Sequence, residues 1–228
     1  MKTVMNRWLN IVLLFFAVNV LGQHGVDAAP RTPQRIRVAC VGDSLTYGFG
    51  LENRSRDNYP AALGRLLGNR YQVKNFGANG ATLLRQGQKP YWAQRAFERA
   101  KNFAPNTVIL MLGSNDCKAR NWQHAAAFKT NLRQMIEAFQ SLPSAPKLYL
   151  ALPTPVFRDR WGVRGAVLEA EVLPKIRQVS TEMSIPLIDL HQSFQGKATQ
   201  FPDGIHPGPQ AAQKMAEIFA AVVAEPRR

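Results

Sequence analysis

From about residue 36 onward, short apolar runs alternate with longer stretches whose apolar residues recur every three or four positions. Val108 to Leu112 and Leu148 to Leu152 are unbroken apolar runs, as strands covered on both faces are. Ile36 to Val41 reads as the first strand. Tyr71 to Phe76 alternates apolar and polar positions, the pattern of a half-exposed strand. Pro186 to Leu190 supplies a fifth, shorter run. Helical periodicity covers Asn58 to Leu67, Trp92 to Phe103, Asn121 to Leu142, Val163 to Met183 and Gln210 to Val223. In the third of these, Phe128, Leu132, Met135, Ile136 and Phe139 form one apolar stripe. In the last, the stripe is Met215, Ile218, Phe219, Val222 and Val223. Pro174 lies inside the fourth and predicts a kink or break, because it lacks an N–H and crowds the preceding turn.

Strand and helix in alternation predict an α/β fold with a parallel sheet and helices on both faces. Right-handed crossovers leave few topologies. The alternating second strand suits a sheet edge, as the order 2-1-3-4-5 provides. No internal repeat or low-complexity stretch interrupts residues 35–228, which are expected to form one domain.

The N-terminus reads differently. Lys2 and Arg7 precede an apolar run from Leu9 to Leu21, broken only by Asn10 and Asn19, and Val26-Asp27-Ala28 follows with small residues. This is the pattern of a secretory signal over residues 1–28, cleaved after Ala28, with residues 29–34 as a short linker. A membrane anchor is the other reading, but a spanning helix needs about 20 apolar residues. The chain is therefore expected to be exported, to the periplasm or beyond, with no stable membrane insertion after cleavage.

Composition narrows the partners. With 46% apolar and 19% charged residues the chain is ordinary for a globular protein, and nothing in it argues for disorder. A net charge of +14 admits nucleic acid, an anionic polysaccharide or an anionic membrane surface. The basic residues are scattered, however, and no nucleic-acid-binding motif accompanies them. A solvated basic surface is expected, and no nucleic-acid partner. Cys40 and Cys117 can form a disulfide in an exported protein or stay as buried thiols. No Cys/His cluster has metal-ligand spacing, so no metal and no cofactor are expected.

In a doubly wound sheet, ligands bind beyond the carboxyl ends of the strands, near the switch in strand order. Four segments fall there: Gly42-Asp43-Ser44-Leu45-Thr46, Asn75 to Gly80, Gly113-Ser114-Asn115-Asp116 and Asp203-Gly204-Ile205-His206-Pro207. A serine hydroxyl needs a base to act as a nucleophile. Among the histidines, His24 lies in the signal, His124 in a helical pattern and His191 just after the fifth strand. His206 lies on a loop with an acid three residues before it, so Asp203 can fold back onto one ring nitrogen while the other faces Ser44. The Ser44 N–H, the Gly80 N–H and the Asn115 amide are candidate donors to a developing oxyanion.

These blocks resemble those of the GDSL/SGNH hydrolases. Gly42-Asp43-Ser44 matches the first, Gly80 (or else Gly77) the second, Gly113-Ser114-Asn115-Asp116 the third and Asp203 to Pro207 the fourth. The resemblance runs from residue 36 to about 223. It implies a flavodoxin-like three-layer α/β/α sandwich with a five-stranded parallel sheet. It also implies Ser44, His206 and Asp203 as the catalytic residues and Ser44, Gly80 and Asn115 as the oxyanion hole. Lys89 to Trp92, the stretch from Asn115 to Trp122 and Pro153 to Gly162 look like exported sialate O-acetylesterase-like or carbohydrate acetylesterases. Asp43, Lys118, Trp92, Arg158 and Trp161 are the candidate substrate-binding residues. Tryptophans can stack on a sugar ring or pack in the core, and Arg158 or Lys118 can hold a carboxylate or hydroxyls. The expected reaction removes a small acyl group, most simply acetyl, from a carbohydrate or small-molecule ester. A broad esterase, thioesterase or lysophospholipase is the alternative enzyme, and a binding module for acidic glycans the non-enzymatic one.

Overall fold

The computed structural model describes residues 34–224; the expected signal and linker residues 29–33 lie outside them. The strands are β1 (Ile36–Gly42), β2 (Tyr71–Gly77), β3 (Thr107–Met111), β4 (Lys147–Leu152) and β5 (Leu187–Asp189). They form one parallel sheet in the order β2-β1-β3-β4-β5, as the periodicity predicts. Val41 pairs with Phe76 on one side and with Leu110 on the other, so β1 is a central strand. Val38 to Val41 are accordingly fully buried. β2 lies at an edge, which is why Gln72 to Asn75 stay partly or wholly in water between the buried Tyr71 and Phe76.

The helices enter in chain order. After β1 come α1 (Ser44–Tyr47), α2 (Arg54–Asp57) and α3 (Tyr59–Leu67). After β2 comes α4 (Arg95–Asn102), and after β3 come α5 (Ala119–Trp122) and α6 (Phe128–Gln140). α7 (Gly165–Val167) and α8 (Leu173–Glu182) follow β4. α9 (Leu190–Ser193) and α10 (Pro209–Val223) follow β5. α3 packs against α10, with the rings of Tyr59 and Phe219 4.9 Å apart. α4, α6 and α8 form the other layer; Phe97 of α4 meets Phe139 of α6 at 5.8 Å. Asn58 caps α3 by accepting the Ala61 N–H at 2.9 Å, and Pro209 opens α10 where no amide hydrogen is needed.

Several elements depart from the periodicity. The Trp92–Phe103 pattern resolves into a 3₁₀ turn, Tyr91–Ala93, an extended Gln94 and then α4. The Asn121–Leu142 pattern is interrupted by a 3₁₀ turn at Ala125–Ala127, so the long stripe belongs to α6 alone. Trp122, before the break, is held inward by Glu171, which accepts its indole N–H at 2.7 Å. In α10 the buried stripe runs through Ala211, Ala212, Met215, Ala216, Phe219 and Val223, while Val222 is 42% exposed. Pro174 causes no break. A π turn, Leu168–Val172, ends two residues before it, and the wider turn accommodates the missing N–H and the proline ring.

Candidate active site

The site is built at the carboxyl end of the sheet. β1 ends at Gly42, where a Cβ would lie 2.2 Å from Thr46 Oγ1 and 2.5 Å from the Met111 carbonyl, so only glycine allows the close turn that follows. Asp43 then caps α1, its Oδ1 accepting the Leu45 N–H at 3.0 Å. Ser44, the first residue of α1, is thereby held by backbone on a short turn and is 8% exposed.

His206 reaches Ser44 from 162 residues along the chain, with Nε2 2.9 Å from the hydroxyl oxygen. Its loop is folded by Asp203. Oδ1 of that residue accepts the Ile205 N–H at 2.8 Å and the His206 N–H at 2.7 Å, while Oδ2 lies 2.8 Å from His206 Nδ1. An acceptor at Nδ1 makes that nitrogen the donor and leaves Nε2 free to accept from Ser44. Burial works against the Asp203 charge. The His206 backbone and ring and the Ile205 N–H outweigh burial and hold the carboxyl below the usual carboxylate range. The loop is braced from outside: the Gly204 carbonyl accepts the Phe157 N–H at 2.8 Å and the Arg158 N–H at 3.3 Å.

The two glycines of the second block have different surroundings. A Cβ on Gly77 would lie 2.2 Å from the Tyr47 nitrogen and 2.6 Å from its Cα, so Gly77 lets β2 pack under α1. Gly80 has φ +74 and borders the open cleft beside Ser44. Asn115 is buried next to it. Its amide donates to the Ala81 carbonyl at 3.1 Å and, more loosely, toward Asp43 Oδ2 at 3.4 Å.

Ser44, His206, Gly80 and Asn115 border one cleft of about 230 Å³, with Ser114, Lys118, Val163 and Ile205 in its walls and Phe49 and Trp161 at its mouth. The Phe49 ring lies 4.6 Å from the His206 ring and the Trp161 ring 5.5 Å from it, and both aromatics remain substantially exposed. Of the expected substrate-binding residues, the structure brings Lys118 and Trp161 to the cleft and leaves three outside it. Asp43 is fully buried beneath the cleft. Trp92 donates its indole N–H to the Leu83 carbonyl at 2.9 Å and lies under the Arg85 guanidinium, away from the cleft. Arg158 contributes backbone to the Gly204 brace, and its side chain is no part of the wall. The sequence pattern does not single out Phe49; its place just past Gly48, which ends the helical turn after the nucleophile, is the one local feature that could have found it.

Burial raises the Asp43 carboxyl to about 6; the Leu45 N–H, the nearby Ser114 hydroxyl, His206 and Lys118 pull the other way. Asp116 is raised to about 7, again by burial, with the Leu84 and Leu83 N–H groups opposing and Asp43 adding to the rise. Its two oxygens accept those N–H groups at 2.8 and 2.9 Å. Asn131 accepts the Arg85 N–H at 2.9 Å and Asn121 the Gln88 N–H at 2.8 Å. The segment that follows Gly80 is thus pinned to the segment that follows β3. Cys40 and Cys117 are both buried free thiols, so no disulfide joins them. Cys117 lies 3.0 Å from the Ser114 carbonyl, and burial raises it to about 11. Among the described residues, no three His, Cys, Asp or Glu side chains are grouped to hold a metal ion.

Residues 40–214 match the GDSL-like lipase/acylhydrolase family. An acetylxylan esterase from Xylanibacter ruminicola is 37% identical over 206 residues, covering 82% of this chain and 43% of the relative, so the chain spans under half of that protein. The crystal structure of a lipase/acylhydrolase from Enterococcus faecalis is similar with a TM-score of 0.67 and 20% identity, over 86% of this chain and 100% of that one. A carbohydrate acetylesterase family member from Sinorhizobium meliloti gives a TM-score of 0.65 at 20% identity, over 83% and 97% of the two chains. At these identities the structural likeness is one of fold.

Proposed function

The chain belongs to the GDSL-like lipase/acylhydrolase family, and from that premise we propose that it is an exported serine ester hydrolase that removes a small acyl group, most simply acetyl, from a carbohydrate ester. The observation that carries the reading is the unbroken hydrogen-bonded chain from Ser44 through His206 to Asp203, at the wall of a cleft that also holds Gly80 and Asn115.

The Ser44 oxygen attacks the ester carbonyl carbon as its proton passes to His206 Nε2. Asp203 stabilises the imidazolium across Nδ1. The carbonyl oxygen takes up the negative charge and is held by the Ser44 and Gly80 N–H groups and the Asn115 amide. Of the two Asn115 contacts, the longer one toward Asp43 is the one that yields to the oxyanion. The bond to the alcohol then breaks, His206 protonates the departing oxygen, and a water activated by the same imidazole releases the acid from Ser44.

The cleft of about 230 Å³ falls below the usual range for drug-sized ligands, roughly 300–1,000 Å³, which favours a short acyl group. Phe49 and Trp161 at the mouth offer ring faces to a sugar, and the likeness to an acetylxylan esterase supports a carbohydrate alcohol. Export rests on the pattern of residues 1–28. Among the described residues no helix is long and apolar enough to cross a membrane.

The test is an activity panel on the purified protein: p-nitrophenyl acetate, butyrate and octanoate, with acetylated xylo-oligosaccharides alongside. The acetate is expected to be turned over fastest of the three aryl esters, and acetate to be released from the sugar. Ser44→Ala is expected to lower kcat by more than about 10⁴-fold. A Ser44→Ala variant as active as the parent would overturn the mechanism, and a preference for octanoate would overturn the small-acyl assignment.

A further inference from the structure

A second groove, of about 500 Å³, adjoins the cleft, and Phe49 and His206 are the two residues that line both spaces. We infer that this groove binds the alcohol side of the substrate, and that its ligand is a neutral, hydroxyl-rich oligosaccharide. The inference rests on the carbohydrate-ester reading above.

Position is the first argument. The cleft holds the nucleophile and the candidate oxyanion donors, so the acyl carbonyl belongs there. The leaving oxygen must come within hydrogen-bond reach of the proton on His206 Nε2. The alcohol therefore lies against the imidazole, and the groove is the other space that this ring borders. A chain longer than one sugar passes Phe49 and enters it.

The lining is the second. Phe49, Pro202 and Pro209 present exposed rings on one part of the groove. Proline and aromatic faces match the C–H faces of a sugar ring, and proline loses no side-chain freedom on contact. Glu52 and Asn53, just before α2, and Arg56, within it, are exposed and supply acceptors and donors for hydroxyls.

Charge is the third. The groove is lined by three carboxylates (Glu52, Asp57 and Asp203) and one guanidinium, Arg56, which is bonded to Asp57 at 2.7 and 3.0 Å. The balance is negative within a chain whose net charge is +14. A uronate is repelled here, whereas a neutral glycan meets no such repulsion.

The experiment titrates the Ser44→Ala variant, which leaves the glycan unprocessed, with β-1,4-xylotetraose and with a glucuronate-substituted xylo-oligosaccharide, followed by NMR and calorimetry. The neutral glycan is expected to bind saturably and to shift the amide signals of Asn53, Arg56 and Gly208. Adding Asn53→Ala and Arg56→Ala is expected to weaken binding about tenfold. Asn53→Ala alone, which keeps the Arg56–Asp57 pair, should weaken it in the same direction but less. The acidic glycan should bind more weakly than the neutral one. Absence of saturable binding, binding indifferent to both substitutions, or tighter binding of the acidic glycan would overturn the groove assignment. Acetate release by the parent enzyme from acetylated xylo-oligosaccharides separates the two claims. Release without groove dependence removes the groove alone, and no release from any sugar ester removes the carbohydrate reading and the groove with it.

Discussion

Asp203 does two jobs with its two oxygens: one fixes the loop through two backbone N–H groups, and the other faces His206 Nδ1. Asp203→Asn separates them. The amide oxygen can still accept the backbone hydrogens, but the NH₂ group would face Nδ1 and force the ring proton onto Nε2. His206 then cannot take the proton from Ser44. We expect kcat on p-nitrophenyl acetate to fall by roughly 10³–10⁴-fold with the melting temperature little changed. A large loss of stability, or a loss of activity under tenfold, would contradict the separation. This arrangement was legible in the sequence because an acid three residues before a histidine is a local pattern, and Ser44 stands where a strand ends. Phe49 and Asp116 were not legible in the same way. Asp116 acts on Leu83 and Leu84, 33 and 32 residues earlier in the chain, and no local spacing encodes that pairing. Trp92 and Trp161 have the same residue type and a comparable loop setting; the fold alone distinguishes them, one bonded inside its loop and the other 49% exposed at the cleft mouth.

At the scale of elements, the position of α1 decides whether Ser44 is presented at all, and Gly77 sets that position. The atoms a Gly77 Cβ would strike are backbone atoms of Thr46 and Tyr47, which cannot swing aside as a side chain can. Asn75 adds a tie, its amide donating to the Thr46 carbonyl at 2.8 Å. Gly77→Ala should therefore displace α1, destabilise the fold by about 1–3 kcal/mol or more, and reduce kcat through the misplaced nucleophile. Gly80→Ala meets only Lys89 Cδ, at 3.8 Å, and carries the strain of its left-handed backbone, about 1–2 kcal/mol. Calorimetric melting should rank Gly77→Ala as the more destabilised, and the reverse order would show that α1 tolerates the displacement. Strands were read more accurately than helices for a physical reason. A buried strand is an unbroken apolar run whatever surrounds it, but Trp122, Ala125 and Phe128 keep the three-residue steps of a helix across a break at the Ala125–Ala127 turn, where Trp122 is held by Glu171 and by the Phe128 ring. The π turn before Pro174 likewise leaves no mark in the apolar pattern, because it shifts the register by one residue inside a continuous helix.

For the molecule as a whole, the buried acids beneath the site should dominate the pH dependence of stability in the mildly acidic range. Asp116 is raised to about 7 and Asp43 to about 6, from a reference of 3.8, chiefly by burial. Between about pH 4 and 7 the folded protein holds protons on these groups that the unfolded chain releases. Their contribution to stability is thus fullest below the unfolded value and declines as pH rises through that window, by roughly 1.4 kcal/mol per pH unit for each group while it is in its range. Asp203 has the opposite sign: its depressed carboxyl favours the fold above the usual carboxylate range, and that support is lost only as pH falls through the depressed value. Asp116→Asn isolates the first effect. The asparagine oxygen can satisfy one of the Leu83 and Leu84 N–H groups but not both, so the variant should be less stable at pH 5, by about 1–3 kcal/mol. It carries no titrating group at that position, so it escapes the decline the parent undergoes between pH 5 and 8. The gap between the two melting temperatures should therefore narrow as pH rises. Two curves that shift in parallel across that range would mean that Asp116 does not hold a proton in the folded protein, and that the loop following Gly80 is pinned by a fully charged carboxylate.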